Sequence, residues 1–422
     1  MTAGTDRPSP GAGLPELRPG TPGFFLRPDY HQLLARLRAE APVHPTADGM
    51  VALSRYEEVK EVSRDPVRFV SGRGVLINDP LRDPEGSGLG AFSLLHLDPP
   101  LHGAYRSVVN REFTPRAVGP LGERVRAVVR EALDRVPADE PVDLVEELAA
   151  PIPIAVIAEL LGVTGVDRVQ LRRWSDAVIE SPDGTDPEQA GQLAELVAFL
   201  MDHVGSAAAD EGDLLHLLRT APVGDRVLDP AEIMGFCMTL LVAGNETTRT
   251  LLSGGAEALA TRPEQVEALA ADPSAVPAAV EEILRWVTPI QAFGRTAVED
   301  VELAGVAVPE GSFVVMLYAS ANRDEAVFGP TAGEFDAFRG SPVGAAGSAG
   351  GGAGPASPGA PHLAFGFGEH VCLGSSLARL EARIFFEELL ARYPGYRLAG
   401  EPVYTSSTVV NGARSLPVVL GG

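Results

Sequence analysis

The chain has 422 residues, of which 45% are hydrophobic and 22% charged, the ordinary balance of a globular protein. Its formal net charge is -23 at pH 7, and Lys60 is its only lysine. Nucleic-acid phosphates and anionic lipid headgroups repel so acidic a chain, which excludes both as general partners. Its two cysteines, Cys237 and Cys372, provide neither a disulfide framework nor a cysteine-rich metal cluster.

The first residues carry no targeting pattern. Residues 1–20 are polar and rich in proline and glycine, without the basic start and apolar run of a signal peptide. We expect residues 1–25 to be disordered. The longest apolar stretch, at about 233–244, is too short to span a bilayer. We therefore expect a soluble, cytoplasmic protein without membrane association, and a monomer.

Helical periodicity dominates the chain. Asp229 as N-cap and Pro230 at the first helical position mark the start of the longest predicted helix, 230–259. Further helices are predicted at 30–39, 56–63, 101–113, 121–136, 151–161, 167–179, 188–206, 263–271, 275–287 and 373–393.

Strand patterns are short and few. They cover 50–54, a hairpin region at 301–317 and a strand-turn-strand tail at 409–420. The fold class is therefore mainly α with minor β. We expect a single domain over 26–422, interrupted by a flexible loop at 340–361, where glycine, alanine, serine and proline leave too little apolar surface to offset the ordering entropy.

The strongest chemical pattern is FGFGEHVCLG at 365–374, directly before the last long helix. A lone cysteine is usually a small buried hydrophobe. Here, backbone N–H donors and the positive end of a helix would stabilise a thiolate at Cys372. The glycines of this segment allow tight turns and the close approach of a flat macrocycle.

This segment resembles the haem-binding loop of the cytochrome P450 family, F-G-x-G-x-H-x-C-x-G, and matches every fixed position. The resemblance implies the family's fold, a helical bundle around haem b with small β-sheets. It also implies that Cys372 is the axial thiolate of the haem iron. His370 would contact a haem propionate; its alternative is a solvated loop histidine.

The segment AGNETT at 243–248 lies within the longest predicted helix. Glycine costs about 1 kcal/mol relative to alanine there, so this polar stretch predicts a local opening of the helix. It resembles the family's oxygen-binding groove, A/G-G-x-D/E-T, which implies that Glu246 and Thr247 relay protons to bound O2 while Gly244 makes room for it. Read alone, the stretch is a kink with an exposed acid and a capping threonine.

Two further motifs resemble parts of the same family. Glu282 and Arg285 form E-x-x-R, an ordinary surface ion pair by itself; the resemblance implies a buried structural brace completed by Arg339 of FDAFR. In DPPLHGAYR at 98–106, His102 and Arg106 match the family's propionate contacts, although Leu101 and Gly103 depart from the commoner residues. Arg295 of FGRTA matches a third propionate contact. The alternative for each of these basic residues is a surface cation.

The resemblance implies a monooxygenase that hydroxylates or epoxidises a hydrophobic small molecule in secondary metabolism or in lipid or terpenoid oxidation. Electrons from NAD(P)H would arrive through ferredoxin reductase and ferredoxin, which a basic patch near Arg106, Arg111 and Arg116 would receive. The loop at 340–361 is longer than in most relatives, and altered docking of the donor is the alternative to a tolerated insertion. The family's substrate-lining positions fall on mostly apolar residues: Leu240, Ala243, Ile290, Phe293 and Val409.

Two other functions remain open from the sequence. The same scaffold catalyses non-hydroxylating oxidations, such as C–C coupling, nitration or peroxide-driven oxidation. A non-enzymatic haem-binding protein is the second alternative, although it would have no use for the Glu246–Thr247 relay.

Overall fold

The computed structural model describes residues 13–21, 23–83, 93–161, 169–170, 173–174, 177, 187–205, 214–339 and 361–421. The predicted loop at 340–361, apart from Pro361, lies outside these residues, as does most of the predicted helix at 167–179.

Helices form most of the described chain. They are α1 Tyr30–Glu40, α2 Tyr56–Arg64, α3 Leu101–Val109, α4 Pro115–Val118, α5 Gly122–Arg135, α6 Pro151–Leu160, α7 Pro187–Gly205, α8 Leu214–Thr220, α9 Pro230–Ala260, α10 Pro263–Ala271, α11 Val276–Val287, α12 Tyr318–Ala321, α13 Glu325–Phe328 and α14 Ser375–Arg392. Among the described ranges, no helix is both long enough and apolar enough to cross a membrane.

Short strands form the remainder of the regular structure. They are β1 Val43–Pro45, β2 Val51–Leu53, β3 Phe69–Val70, β4 Val142–Asp143, β5 Pro222–Val223, β6 Arg226–Val227, β7 Ala292–Ala297, β8 Val301–Leu303, β9 Val306–Val308, β10 Phe313–Leu317, β11 Arg397–Leu398, β12 Val403–Tyr404, β13 Ala413–Ser415 and β14 Pro417–Val419. The largest sheet has the order β1-β2-β10-β7-β3, with β10 parallel to β2 and antiparallel to β7. The prediction of a mainly α fold with minor β is confirmed.

The long helix α9 runs through the main core. Its Leu251, Leu252 and Leu259 belong to one buried cluster with residues of α11 and α14. A Cβ on Gly255 would lie 2.6 Å from both Ile283 of α11 and Phe386 of α14, so glycine permits the close approach of these three helices. The cluster fixes α14, and with it the loop that precedes α14.

The N-terminal segment differs from the predicted disorder over 1–25. Leu17, Phe24 and Phe25 are buried and belong to one cluster with Tyr30 and Leu34 of α1. Burying large apolar side chains of this kind contributes about 1.5–3 kcal/mol each, which offsets the ordering of a polar, proline-rich segment. Residues 1–12 and 22 lie outside the described chain.

Candidate functional site

The cysteine loop, residues 365–374, contains a short 3-10 turn, Gly368–His370, and leads directly into α14. The N–H of Cys372 donates to the Phe365 carbonyl over 2.8 Å, which closes the loop. Gly366 and Gly368 have φ angles of 69° and 75°, in the left-handed region that favours glycine. A Cβ on Gly368 would overlap the Ser63 carbonyl oxygen, so the loop also packs tightly against α2.

The two cysteines have opposite environments. Cys237 is buried in α9, where burial raises the pKa of its thiol to about 12. Cys372 is exposed at the residue level, yet enough protein surrounds its sulfur for desolvation to raise its pKa. A backbone N–H of Gly374 and the guanidinium groups of Arg106 and Arg379 act in the other direction and lower it. Burial outweighs these three groups, so the pKa of Cys372 stays above its usual value, and the three groups are the contacts that would favour a thiolate.

Four basic side chains from α3, β7 and the cysteine loop come together beside Cys372. The rings of His102 and His370 have centroids 4.0 Å apart. Arg106 donates to a carbonyl of the cysteine loop over 2.6 Å, and Arg295 is buried on β7. Burial is the main cause that lowers the pKa of His102 to about 4, and the charges of Arg106 and Arg295 add to it. Burial likewise lowers the pKa of His370 to about 2, with further contributions from Arg295 and His102.

This basic cluster lacks a matching anion within the described chain. No described carboxylate pairs directly with Arg106 or Arg295, and His102 Nε2 is buried without a hydrogen-bond partner among the described residues. Asp98 acts on the cluster from further away and accepts the N–H groups of Ser71 and Gly72 over 2.7 and 2.9 Å. Because buried cations need anionic partners, the cluster fits the two propionates of haem.

The long helix α9 is continuous across its polar segment. Asp229 caps it in a reciprocal capping box with Glu232, which confirms the predicted N-terminus. The predicted local opening at 243–248 is absent, because the helix is unbroken from Pro230 to Ala260. Instead, the Thr247 hydroxyl donates to the Ala243 carbonyl one turn earlier over 2.5 Å, a side-chain bond that an intact helix accommodates.

The residues of AGNETT lie on different faces of α9. A Cβ on Gly244 would lie 3.3 Å from Ile157, so this glycine permits the close crossing of α9 and α6. Ala243 is exposed and Thr247 half-buried. Glu246 is buried and paired with Arg249 over 2.5 Å, so the exposed acid of the alternative reading is wrong.

The predicted brace is buried. Glu282 and Arg285 are 3% and 2% exposed and joined by two bonds of 2.7 Å, and Arg339 completes the brace at 3.2 Å from Glu282. Arg285 also donates to the Asn322 carbonyl, and the Asn322 side-chain oxygen accepts the N–H of Leu363 over 2.6 Å. The brace is therefore connected to the start of the cysteine loop.

The substrate-lining candidates are accessible to different degrees. Ile290 forms a β-bridge with Val410, which is next to Val409. Phe293 and Arg295 are two positions apart on β7, so the side chains of these two residues lie on the same face of the strand. Four of the candidates are half-buried and Ala243 is exposed. The half-buried candidates are Leu240, Ile290, Phe293 and Val409.

Sequence reasoning missed several residues of this region. Ser71 lies 3.2 Å from His370 through its Oγ, and nothing in its local sequence indicates this contact. Asp98 belongs to the same motif as His102, and that proximity was the available signal. Arg379 lies one turn into α14, where its spacing from Cys372 was the only hint.

Comparison with known proteins gives a consistent result. The family model for cytochrome P450 matches residues 204–395. The chain is 33% identical over 421 residues to linalool 8-monooxygenase from Pseudomonas putida, covering 96% of this chain and 98% of that protein. It is 37% identical over 420 residues to cytochrome P450 monooxygenase PikC from Streptomyces venezuelae, covering 96% and 95%.

A solved structure of a mutant of P450 EryK in complex with erythromycin B is also similar, with a TM-score of 0.80 and 34% identity, covering 93% of this chain and 96% of that one. Likeness at this level over nearly the full length of each chain extends to the fold, and the expected P450 fold is confirmed. With an accessible cysteine in a glycine-rich loop, a buried basic cluster and these relatives, the chain belongs to the bacterial cytochrome P450 family and is a P450 monooxygenase.

Proposed function

We propose that this chain binds haem b with Cys372 as the axial thiolate. The observation that carries the proposal is the buried basic cluster beside Cys372, which lacks a matching carboxylate within the described chain. Two propionates would supply the missing charge and accept the unused His102 Nε2 donor when that nitrogen is protonated. The side chains that would hold them are His102, Arg106, Arg295 and His370.

When bound, the haem supplies reductive activation of O2, and the thiolate favours O–O cleavage by donating electron density. The protein contributes protons through Thr247 and Glu246. Thr247 presents its hydroxyl from the half-buried face of α9, and Arg249 holds the neighbouring Glu246 carboxylate. Gly244 packs against Ile157 of α6, and the room that it leaves for O2 is part of the same proposal.

The electrons come from NAD(P)H through a ferredoxin reductase and a ferredoxin. Arg111 and Arg116 are exposed near α4, and they attract an acidic ferredoxin at long range. Arg106, the third residue of the predicted patch, is half-buried and donates to the cysteine loop. We therefore assign it mainly to the proposed propionate contacts. The protein would work as a monomer in the cytoplasm.

The substrate is a hydrophobic or amphipathic small molecule, which is hydroxylated or epoxidised in secondary metabolism or in lipid or terpenoid oxidation. The apolar, half-buried candidates on α9, on β7 and near Val409 support this class. Relatives point the same way, since one is named as acting on linalool and another was solved with erythromycin B.

Haem retention tests the proposed cofactor site. Arg295→Gln removes a buried cation that would pair with a propionate, a loss of about 1.5–3 kcal/mol. Transfer of haem to apomyoglobin should then be roughly tenfold to a hundredfold faster than from the wild type. Arg116→Gln, which removes an exposed cation, should leave the rate unchanged. Equal rates for Arg295→Gln and the wild type would overturn the assignment of this cluster.

A further inference from the structure

Glu281 on α11 joins two residues that flank the cysteine loop. Its carboxylate accepts two bonds from Arg379 of α14, over 2.6 and 3.0 Å, and lies 3.2 Å from Nε2 of His362. His362 Nδ1 accepts the N–H of Ala364 over 3.2 Å, so the ring presents Nε2–H to Glu281. Glu281 thus joins His362, just before the loop, to Arg379 of α14.

Arg379 in turn contacts the residue that fixes Cys372. Its guanidinium carbon lies 4.5 Å from the centroid of the Phe365 ring, and the Phe365 carbonyl accepts the Cys372 N–H. The Nη1 atom of Arg379 also lies 3.5 Å from the carbonyl oxygen of Ser375, three residues after Cys372. Arg379 is therefore close enough to alter the electrostatic potential at the proposed thiolate.

The charge of Glu281 offsets that of Arg379. Burial acts to raise the pKa of Glu281, but His362 and Arg379 outweigh it and hold the value at about 2, so the carboxylate is ionised at neutral pH. The side chains of Glu281 and Arg379 are 45% and 40% exposed, so solvent screens the pair and its effect is modest. No contact joins Glu281 or Arg379 to the basic cluster among the described residues.

We propose that Glu281 and Arg379 form an opposed charge pair that sets the reduction potential of the haem iron. The inference rests on the proposed function, in which Cys372 is the axial ligand. One-electron reduction of ferric to ferrous haem adds negative charge to the haem–thiolate unit, which a nearby cation favours and a nearby anion disfavours. Glu281 and Arg379 act through Cys372 and are positioning residues.

Two neutral variants test the pair, because they shift the potential in opposite directions. In a redox titration of the holoenzyme with dithionite and mediators, Glu281→Gln should raise the ferric/ferrous potential and Arg379→Gln should lower it. The double variant should return close to the wild-type value, and both shifts should shrink at high salt. Glu159→Gln, which breaks an exposed pair with Arg124 on α5 and α6, is the control and should leave the potential unchanged.

The outcomes separate this inference from the proposed function. A structural disturbance of the loop would move both single variants in the same direction, and that result, or the absence of a shift in both, overturns the charge pair. The reduced carbonyl complex is recorded for every variant. A wild type without the far-red-shifted Soret band overturns the thiolate assignment itself, whatever the potentials are.

Discussion

Thr247 and Glu246 are neighbours in sequence, but the structure gives them different partners. The Thr247 hydroxyl is directed along α9 to the Ala243 carbonyl, and Glu246 is buried against Arg249. In a proton relay through both residues, the Thr247 hydroxyl has to leave the Ala243 carbonyl and donate to oxygen instead. Thr247 is therefore the more direct point at which to test the relay.

Replacing Thr247 with Ala should uncouple oxygen consumption from product formation. Without the hydroxyl, protons arrive without positional control, so NAD(P)H is still consumed while peroxide is released. We expect product formed per NAD(P)H to fall by about tenfold or more, measured with a turned-over substrate. Thr239→Ala is a matched control, because the Thr239 hydroxyl also donates to the carbonyl one turn earlier on α9. Tight coupling in Thr247→Ala would contradict the relay.

The family resemblance of the motifs predicted which basic residues would meet. His102 and Arg106 are one helical turn apart, and His370 lies in the cysteine loop; the structure places them together. Ser71 and Glu281 could not be predicted, because their partners in the loop are far away in sequence. Periodicity also does not show which neighbouring helix covers a given face, so the contact of Gly244 with Ile157 of α6 was not predicted.

The cysteine loop depends on its contact with another element. Gly368 adopts a φ of 75° and leaves no space for a Cβ beside the Ser63 carbonyl at the end of α2. Backbone strain and steric overlap therefore act on the same residue. Because the loop carries Cys372, its packing against α2 links the stability of the loop to the position of Cys372.

Gly368→Ala should destabilise the holoenzyme by at least about 1 kcal/mol, because alanine disfavours the left-handed conformation and its Cβ meets the α2 carbonyl. The thermal unfolding midpoint should fall by several degrees. Gly191→Ala on α7 is the control, since among the described residues no atom beyond the local backbone of α7 lies within 4 Å of its Cβ position, and alanine favours a helix. An unchanged midpoint for Gly368→Ala would show that the loop shifts away from α2 without cost.

At the level of elements, long periodic helices were predicted best. The bounds of α9 and α10 agree closely with the predictions, because a proline marks the start of each helix and Asp229 caps α9. The predicted helix 101–113 ends earlier, at Val109, and a Thr114 cap with Pro115 then starts α4. The short helices α8, α12 and α13 were missed, because their few residues carry too little periodicity and form through tertiary contacts.

For the whole molecule, the order of the motifs predicted the family, and the folded chain brings together the cysteine loop, the DPPLHGAYR motif and Arg295. The structure adds an N-terminal anchor: Leu17, Phe24 and Phe25 pack before residue 26, where we had predicted the single domain to begin. Isolated apolar residues within a polar segment are not visible as a pattern, which explains the error. The organisation of 26–422 as one domain stays a prediction.

The central claim is that Cys372 binds the haem iron as a thiolate, and the spectrum of the reduced carbonyl complex tests it most directly. Cys372→Ser should abolish the far-red-shifted Soret band, because an oxygen ligand does not supply the electron density of a thiolate. Cys237→Ala should keep the band, since Cys237 is buried in α9 and burial raises the pKa of its thiol to about 12, which disfavours a thiolate there. An unchanged band in Cys372→Ser, or its loss in Cys237→Ala alone, would contradict the assignment.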